Sequence, residues 1–228
     1  MDKKKSALIA GATGLVGSEC LDLLIDSDEY EKIVVFSRSS IGEKENHPKI
    51  ILKKTNFDDL ENFSEIGSVD HVFCALGTTI KKAGSKEMFR KVDHDYVVKL
   101  AEFGLESGAE HFLFISSVGA NPDSSFFYNK VKGETESELS KLNYRAISIF
   151  QPSLLLGDRN EQRFGEDISK TLMTTFDFLI PKKYKAIEAK KVAAAMLYSS
   201  LQNKPGVHIF ESDKIGRMGE NYFTEQNK

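Results

Sequence analysis

The chain has few cysteines, no tryptophan, no long apolar run and almost no net charge, and these absences exclude several classes of protein. The two cysteines, Cys20 and Cys74, form neither a disulfide framework nor a metal-binding pattern. We therefore predict a cytoplasmic protein without a metal site. No apolar run reaches the length of a membrane-spanning helix, and a formal net charge of −3 over 228 residues argues against a nucleic-acid partner. The expected partner is a small molecule, with no role for a membrane.

The pattern along the chain is an alternation of short apolar runs and helical stretches. Apolar residues make up 40% and charged residues 29%, the composition of a folded protein. This alternation is typical of βαβ units and a parallel sheet. We predict a Rossmann-type, doubly wound α/β fold in a single domain over residues 1–228, with a small C-terminal extension from about residue 152. Strands are predicted at 7–10, 33–36, 50–52, 69–76, 112–115, 146–150 and 207–210, helices from about 16 and at 89–104, 128–142 and 190–201, a surface loop at 41–49, and a mobile tail from 213 onward.

Three glycines follow the first predicted strand at a regular spacing. Gly11 suits a tight turn out of the strand, Gly14 lets a pyrophosphate approach the backbone, and Gly17 lets the next helix lie close to the sheet. The helix N-terminus adds free N–H groups and the positive end of a dipole. A strand–helix turn without a nucleotide is the alternative. We predict a dinucleotide-phosphate site at this turn, made by Gly11, Thr13, Gly14, Leu15, Val16 and Gly17.

The end of the second predicted strand carries an arginine where NAD sites usually carry a carboxylate. Ser37, Arg38 and Ser39 stand there, with no Asp or Glu to accept from the ribose 2′-hydroxyl. Because a guanidinium pairs well with phosphate, we favour NADP(H) over NAD(H), held by Ser37 and Arg38. A solvated surface arginine is the alternative. Asn56 and Phe57, after the third strand, are expected beside the adenine from their position alone.

A tyrosine and a lysine on one predicted helix, together with a pair of serines, form a candidate catalytic group. Tyr128 and Lys132 are four residues apart and therefore share a helix face. Ser116 and Ser117 follow the fifth strand, at the edge where ligands bind in open α/β sheets. A neighbouring ammonium helps a tyrosine to exchange protons near neutral pH, and a serine hydroxyl stabilises charge on a substrate oxygen. The alternative is a core tyrosine beside a solvated lysine.

Several short stretches of the sequence carry a family resemblance. They are residues 74–79, 82–84, 92–93, 130–134 and 152–156, followed by Asp158, Arg159, Glu161, Arg163, Gly165 and Glu166. With the glycine motif, they resemble the short-chain dehydrogenase/reductase superfamily in its atypical or extended branch, and especially the Tat-interacting-protein-type NADPH-binding oxidoreductases. The likeness runs from the N-terminus to about residue 166 and becomes loose beyond residue 176.

The resemblance implies roles for further residues. Ser117 aligns with the catalytic serine, with Ser116 as the alternative, while Tyr128 takes the role of the acid and Lys132 anchors the cofactor. Arg159 and Arg163 either anchor an anionic substrate or pair with nearby carboxylates, and the second role is slightly favoured. The remaining implied residues line the cofactor or close over its nicotinamide: Leu76, Gly77, Thr78, Pro152, Ser153, Leu154 and Leu155.

The function expected from these observations is an NADPH-dependent reduction of a small-molecule carbonyl. An NADPH-binding regulatory protein with little turnover is one alternative. A sugar-nucleotide epimerase is another, although only 76 residues follow Pro152 to build a substrate domain. The helices predicted at 89–104 and 128–142 offer apolar stripes that suit either a homodimer interface or the protein's own sheet, and a regulatory protein partner is also open.

Overall fold

Seven parallel strands form the centre of the molecule. The computed structural model describes residues 4–60, 65–157, 184–202 and 204–226. In the sheet the strands lie in the order β3-β2-β1-β4-β5-β6-β9, and every neighbouring pair is parallel. This confirms the predicted Rossmann-type sheet. The strands are β1 (Lys5–Ala10), β2 (Tyr30–Ser37), β3 (Ile50–Lys54), β4 (His71–Cys74), β5 (His111–Ile115), β6 (Ala146–Gln151) and β9 (Gly206–Glu211).

Helices cover both faces of the sheet, which is why its central strands are mostly apolar. Alternate residues of β1 point to opposite faces: Ala7 and Ile9 contact one core, and Leu8 and Ala10 contact the other. The first core is covered by the helices α1 (Leu15–Asp26), α6 (Ala189–Gln202) and α7 (Ser212–Gln226), and the second by α4 (Tyr96–Glu106) and α5 (Phe127–Leu139).

The apolar stripes of α4 and α5 are used within the chain. Val97, Leu100 and Ala101 of α4 and Leu139 of α5 are fully buried in the second core, against alternate residues of β4, β5 and β6. Of the two uses predicted for these stripes, the structure therefore shows that they cover the protein's own sheet. A homodimer stays a prediction.

The helix predicted over residues 89–104 is present and contains one widened turn. Helix α2 (Ile80–Ala83) precedes α3 (Lys86–Arg90), a π-helical turn spans Lys91–Asp95, and α4 follows. The predicted helix is therefore confirmed, but the apolar spacing alone did not reveal the widened turn inside it. The wider turn aims Asp93 inward, where its side chain is 1% exposed.

The prediction of a mobile tail from Asp213 onward was wrong. Residues Ser212–Gln226 form α7, which lies on α6. Ile215 and Tyr222 are buried, and Gly219 lies so close to α6 that an added β-carbon would be 2.5 Å from the carbonyl oxygen of Lys191. These three residues recur at helical spacing, a signal that the polar composition of the segment concealed.

Two short strands outside the main sheet connect the C-terminal part to the end of β6. Strand β7 (Leu155–Leu156) pairs in parallel with β8 (Ile187–Glu188). The loop predicted over 41–49 contains a short 3-10 helix, Gly42–Asn46, on the surface. Among the described residues, no helix has the length and apolar character needed to cross a membrane.

Candidate functional site

The glycine turn lies against the end of β4. Gly11 has a φ of +86°, in the left-handed region that favours glycine, and an added β-carbon would be 2.4 Å from the carbonyl oxygen of Ala75. Gly17 is equally constrained, because a β-carbon there would be 2.0 Å from the carbonyl oxygen of Gly11. The tight turn at Gly11 and the close packing at Gly17 are therefore as the sequence predicts.

Gly14 differs from its two neighbours in the motif, because a β-carbon there would make a tight contact and not a clash. Its φ is −79°, and the nearest atom to an added β-carbon is the Gly11 carbonyl oxygen at 3.1 Å. Gly14 is also the N-cap of α1 and offers no side chain to the free N–H groups of the first turn. The start of α1 thus keeps both the space and the hydrogen-bond donors that an anion needs. Thr13 is exposed beside it, Leu15 is half-buried and Val16 is buried.

Arg38 follows β2 on the surface. Its side chain is exposed and forms no ion pair or side-chain hydrogen bond with any residue that the structure describes. Ser37 is different: its buried hydroxyl donates to the carbonyl oxygen of Ser39 (2.8 Å) and so shapes the loop. Of the two residues predicted at a 2′-phosphate, only Arg38 has a side chain free to reach one.

Asn56 and Phe57 also differ in what they expose. Asn56 is exposed, and its Oδ1 accepts the N–H of Asp58 (3.0 Å). The ring of Phe57 is buried in the second core, 5.7 Å from the ring of Tyr96. Phe57 nevertheless has a φ of +69°, and among the described residues no other non-glycine residue has a positive φ. This strained conformation marks the loop after β3 as a place worth testing for function.

The segment after β4 joins the glycine turn to α5. Leu76 and Thr78 are half-buried, and the N–H of Thr78 donates to Oδ2 of Asp93 (2.8 Å). A β-carbon added to Gly77 would lie 3.4 Å from Oδ1 of Asp93 and 3.8 Å from Nζ of Lys132. Lys132 therefore lies directly against the segment that the family resemblance implies at the cofactor.

Lys132 forms a buried ion pair with Asp93. The Nζ–Oδ1 distance is 2.8 Å, and the two side chains are 4% and 1% exposed. Burial alone would lower the pKa of Lys132, but the charge of Asp93, assisted by Tyr128, outweighs it and raises that pKa.

Tyr128 is the second residue of α5, one helical turn before Lys132. Its side chain is half-buried, with its ring 5.4 Å from the ring of Phe89 on α3. Both residues lie within α5, four positions apart, so their side chains share a face of the helix. Tyr128 thus combines a fixed ring with a lysine neighbour, as a proton donor of this kind requires.

The two serines after β5 have different surroundings. The hydroxyl of Ser116 is buried and donates to Oε1 of Glu136 on α5. The Oγ of Ser117 is also buried, but it has no hydrogen-bond partner among the described residues. An unpartnered buried hydroxyl is costly and is often found where a ligand completes the site. This difference favours Ser117 over Ser116 as the serine that meets a substrate.

The segment after β6 approaches the glycine turn from the other side. Pro152 is buried, and its carbonyl oxygen accepts the N–H of Val118 (3.0 Å). Ser153 bonds to Lys185 and Ser212, Leu154 accepts the N–H of Ile187 (2.9 Å), and Leu155 lies in β7. A β-carbon added to Gly157 would be 2.6 Å from Cδ1 of Leu15, so this segment reaches the start of α1.

Two buried carboxylates were not assigned a role from the sequence. Asp93 was noted only as part of a resemblance. Glu136 lies four residues beyond Lys132 and accepts hydrogen bonds from Ser116 and from Nε2 of Gln151 (2.9 Å). Burial raises the pKa of Glu136. The spacing of Tyr128, Lys132 and Glu136 on one helix was the signal available for Glu136. Arg159 and Arg163 lie outside the described residues, and the described residues contain no cluster suited to a metal ion.

Comparisons with known proteins agree with this arrangement. The model of the "NAD dependent epimerase/dehydratase family" matches residues 7–171. Protein HTATIP2 of Rattus norvegicus is 32% identical over 221 residues, which cover 96% of this chain and 90% of that protein. The mitochondrial protein FMP52 of Candida albicans is 36% identical over 173 residues, or 73% of this chain and 75% of that protein.

Solved structures show the same fold at low sequence identity. A UDP-N-acetylglucosamine 4-epimerase from Methanobrevibacter ruminantium, solved with UDP-N-acetylmuramic acid, superposes with a TM-score of 0.70 at 18% identity and covers 99% of this chain and 83% of that chain. The Bordetella bronchiseptica enzyme WbmG, solved with NAD, gives a TM-score of 0.69 at 13% identity, with 100% and 80% coverage.

Proposed function

Since the chain belongs to the NAD dependent epimerase/dehydratase family, we propose that it binds NADP(H) and reduces a carbonyl group of a small molecule. The observation that carries this proposal is the position of Lys132. A β-carbon on Gly77 would be 3.8 Å from its Nζ, so the lysine of the Tyr128–Lys132 pair lies against the segment between the glycine turn and α5. One site therefore contains both the nucleotide-binding and the proton-donating residues.

The cofactor would be held by backbone and side chains that follow four strands, β1, β2, β4 and β6. The start of α1 offers free N–H groups to the pyrophosphate, with space above Gly14. The exposed guanidinium of Arg38 suits the 2′-phosphate. Gly77 and Thr78 after β4, and Leu154 and Leu155 after β6, line the rest of the path. These features fit a dinucleotide, and the bound cofactor would supply the hydride.

The protein's own part in the reaction is to orient the substrate and to move one proton. The free hydroxyl of Ser117 donates to the substrate oxygen, where negative charge develops during hydride transfer. Tyr128 gives its phenolic proton to that oxygen. Lys132 stabilises the resulting phenolate and holds the cofactor ribose, which is why its charge matters to both binding and chemistry. A panel of aldehydes, ketones and quinones, screened by the loss of NADPH absorbance, tests this function, and a native protein that oxidises NADPH with none of them contradicts it.

Replacing Arg38 with alanine is expected to weaken NADPH binding and leave NADH binding almost unchanged. Arg38 has no partner among the described residues, so its loss should not disturb the fold. Only NADPH carries the phosphate that a guanidinium pairs with. Titration calorimetry of both cofactors measures the effect. Equal affinities for NADPH and NADH in the native protein would refute the assignment of Arg38.

Replacing Gly14 with valine is expected to abolish cofactor binding in a chain that still folds. The φ of −79° is allowed for valine, and the nearest atom to its β-carbon would be 3.1 Å away, a tight but local contact. The branched side chain would fill the space above the turn that the pyrophosphate needs. Circular dichroism and cofactor titration together decide, and Gly17→Val is the matched comparison because its 2.0 Å contact should disrupt folding itself. Normal NADPH binding by a folded Gly14→Val protein would show that the phosphate site lies elsewhere.

The family match favours a second candidate, an epimerase that retains NAD throughout its cycle. Such an enzyme would keep its bound NAD through purification and would not oxidise NADPH added to the solution. Native mass spectrometry of the purified protein separates the two candidates. For location we keep the cytoplasm as our proposal, against the mitochondrial names of several relatives, and imaging of a fluorescent fusion of the full chain decides between them.

A further inference from the structure

Asp93 stands between the two halves of the proposed site. It lies on the π-helical turn Lys91–Asp95. Its carboxylate has two close neighbours, a backbone N–H group and an ammonium group. Oδ2 accepts the N–H of Thr78 at 2.8 Å, and Oδ1 is 2.8 Å from Nζ of Lys132. The hydroxyl of Thr135 is 3.0 Å from the backbone carbonyl oxygen of Asp93 and ties the turn to α5. The side chain thus links the segment after β4 to the lysine of α5.

The surroundings of Lys132 leave Asp93 as the source of compensating charge. Lys132 faces Tyr128 and Glu136 along α5, Cys74 at the end of β4, and the ring of Phe114 on β5 at 5.1 Å. Among the described carboxylates, Asp93 is the one within ion-pair distance of Nζ. A buried ammonium without such a partner tends to lose its proton, since burial disfavours the charged form.

We propose that Asp93 is the positioning residue that keeps Lys132 protonated and fixes its ammonium against the Gly77–Thr78 segment. This proposal rests on the proposed function in one respect only, namely that the molecule bound beside Lys132 is the NADP(H) cofactor. An aspartate suits this position better than an asparagine, because it presents two acceptor oxygens to two donors. An asparagine would aim its NH₂ group at either Lys132 or the N–H of Thr78.

Asp93→Asn tests the proposal through the pH dependence of stability, which needs neither cofactor nor substrate. In the variant, burial should depress the pKa of Lys132 below that of the unfolded chain, about 10.4. The unfolded state then binds more protons than the folded state, so stability rises with pH. We expect the variant to unfold at lower urea concentration than the native protein at pH 7. Above the depressed pKa, the ratio of the two unfolding constants should fall by about tenfold for each pH unit up to about pH 10.

Two further variants make the result specific. Asp93→Asn combined with Lys132→Met removes the buried charge and should unfold at higher urea concentration than Asp93→Asn alone, without the added pH dependence. Asp70→Asn is the matched control. Asp70 precedes the amino end of β4, accepts two hydrogen bonds from Ser6 (2.6 and 2.7 Å) and does not contact Lys132. A stability gap between Asp93→Asn and the native protein that is constant from pH 6 to 10 would overturn the proposal and leave Asp93 with a hydrogen-bonding role only.

A titration with NADPH separates this inference from the proposed function. If native protein binds NADPH, Asp93→Asn should lose affinity progressively as the pH rises, whereas Asp70→Asn should follow the native protein. An affinity of Asp93→Asn that matches the native value at every pH contradicts the positioning role. If native protein fails to bind NADPH, the proposed function fails, and the urea experiment still decides whether Asp93 holds the charge of Lys132.

Discussion

Replacing Tyr128 with phenylalanine is expected to lower turnover by about 10²–10⁴-fold and to leave NADPH affinity almost unchanged, the range that a general acid contributes. Phenylalanine keeps the ring that packs 5.4 Å from Phe89 but has no proton to transfer. Steady-state kinetics with a substrate found by the carbonyl screen measure turnover, and titration of NADPH measures binding. A fully active Tyr128→Phe protein would refute the assignment of the acid, whatever the family resemblance implies.

Tyr144→Phe is the matched control for the loss of a phenolic hydroxyl. Tyr144 is buried just before the amino end of β6, whereas the site lies at the carboxyl ends of the strands. Its hydroxyl donates to the carbonyl oxygen of Ala101 (2.5 Å). The variant should lose some stability, since a buried hydrogen bond is lost. Its turnover per folded molecule should match the native protein. A similar loss of turnover in both variants would point to general destabilisation.

Mild acid is expected to destabilise the protein through two histidines buried at the amino ends of β4 and β5. Burial lowers the pKa of His71 to about 4 and that of His111 to about 3. In the unfolded chain both pKa values return to about 6.5. Between pH 6.5 and about 4 the unfolded state therefore binds protons that the folded state excludes. The free energy of unfolding should fall by about 1.4 kcal/mol for each pH unit and each histidine.

His111→Gln isolates the contribution of one histidine. The amide can still bond to the hydroxyl of Ser148, which lies 2.9 Å from Nε2 of His111, but it takes up no proton. Urea unfolding between pH 7 and 5 should show a shallower loss of stability than in native protein. Equal slopes in native protein and His111→Gln would show that His111 does not cause the acid sensitivity.

Much of the fold could be predicted because a parallel sheet covered on both faces imposes strong local patterns. The run from Ile33 to Phe36 is fully buried on both sides, so it reads as a central strand without any tertiary information. Gly11 and Gly17 were identified because their roles depend on backbone geometry within one turn. Two features were missed because their sequence patterns are weak. In α7 the buried residues Ile215 and Tyr222 are surrounded by polar residues, so the helical spacing was hard to recognise. The turn at Lys91–Asp95 keeps the apolar spacing of a helix while changing which side chain faces inward.

The site could be predicted in part, and the missing part depends on contacts between distant segments. Tyr128 and Lys132 were found because they are four residues apart on one helix. The partner of Lys132, Asp93, is 39 residues earlier in the chain, and only the packing of α5 on the π-helical turn brings them within 2.8 Å. The choice between Ser116 and Ser117 likewise needed the position of Glu136. Local sequence patterns identify the candidate catalytic residues, whereas the residues that set their charge and hydrogen bonding are identified only from the packing of distant segments.

The order of the strands also constrains how the chain assembles in time. β1 is made first and lies in the middle of the sheet, yet its second neighbour is β4, so that Ala7 pairs with His71. The outer neighbour of β6 comes later still, since Ala146 pairs with Gly206. Because each of these pairings closes a long loop, they form slowly compared with local contacts. During synthesis and refolding, the side of β1 that pairs with β4 therefore stays unpaired until β4 is in place, and an unpaired strand edge of this kind favours aggregation.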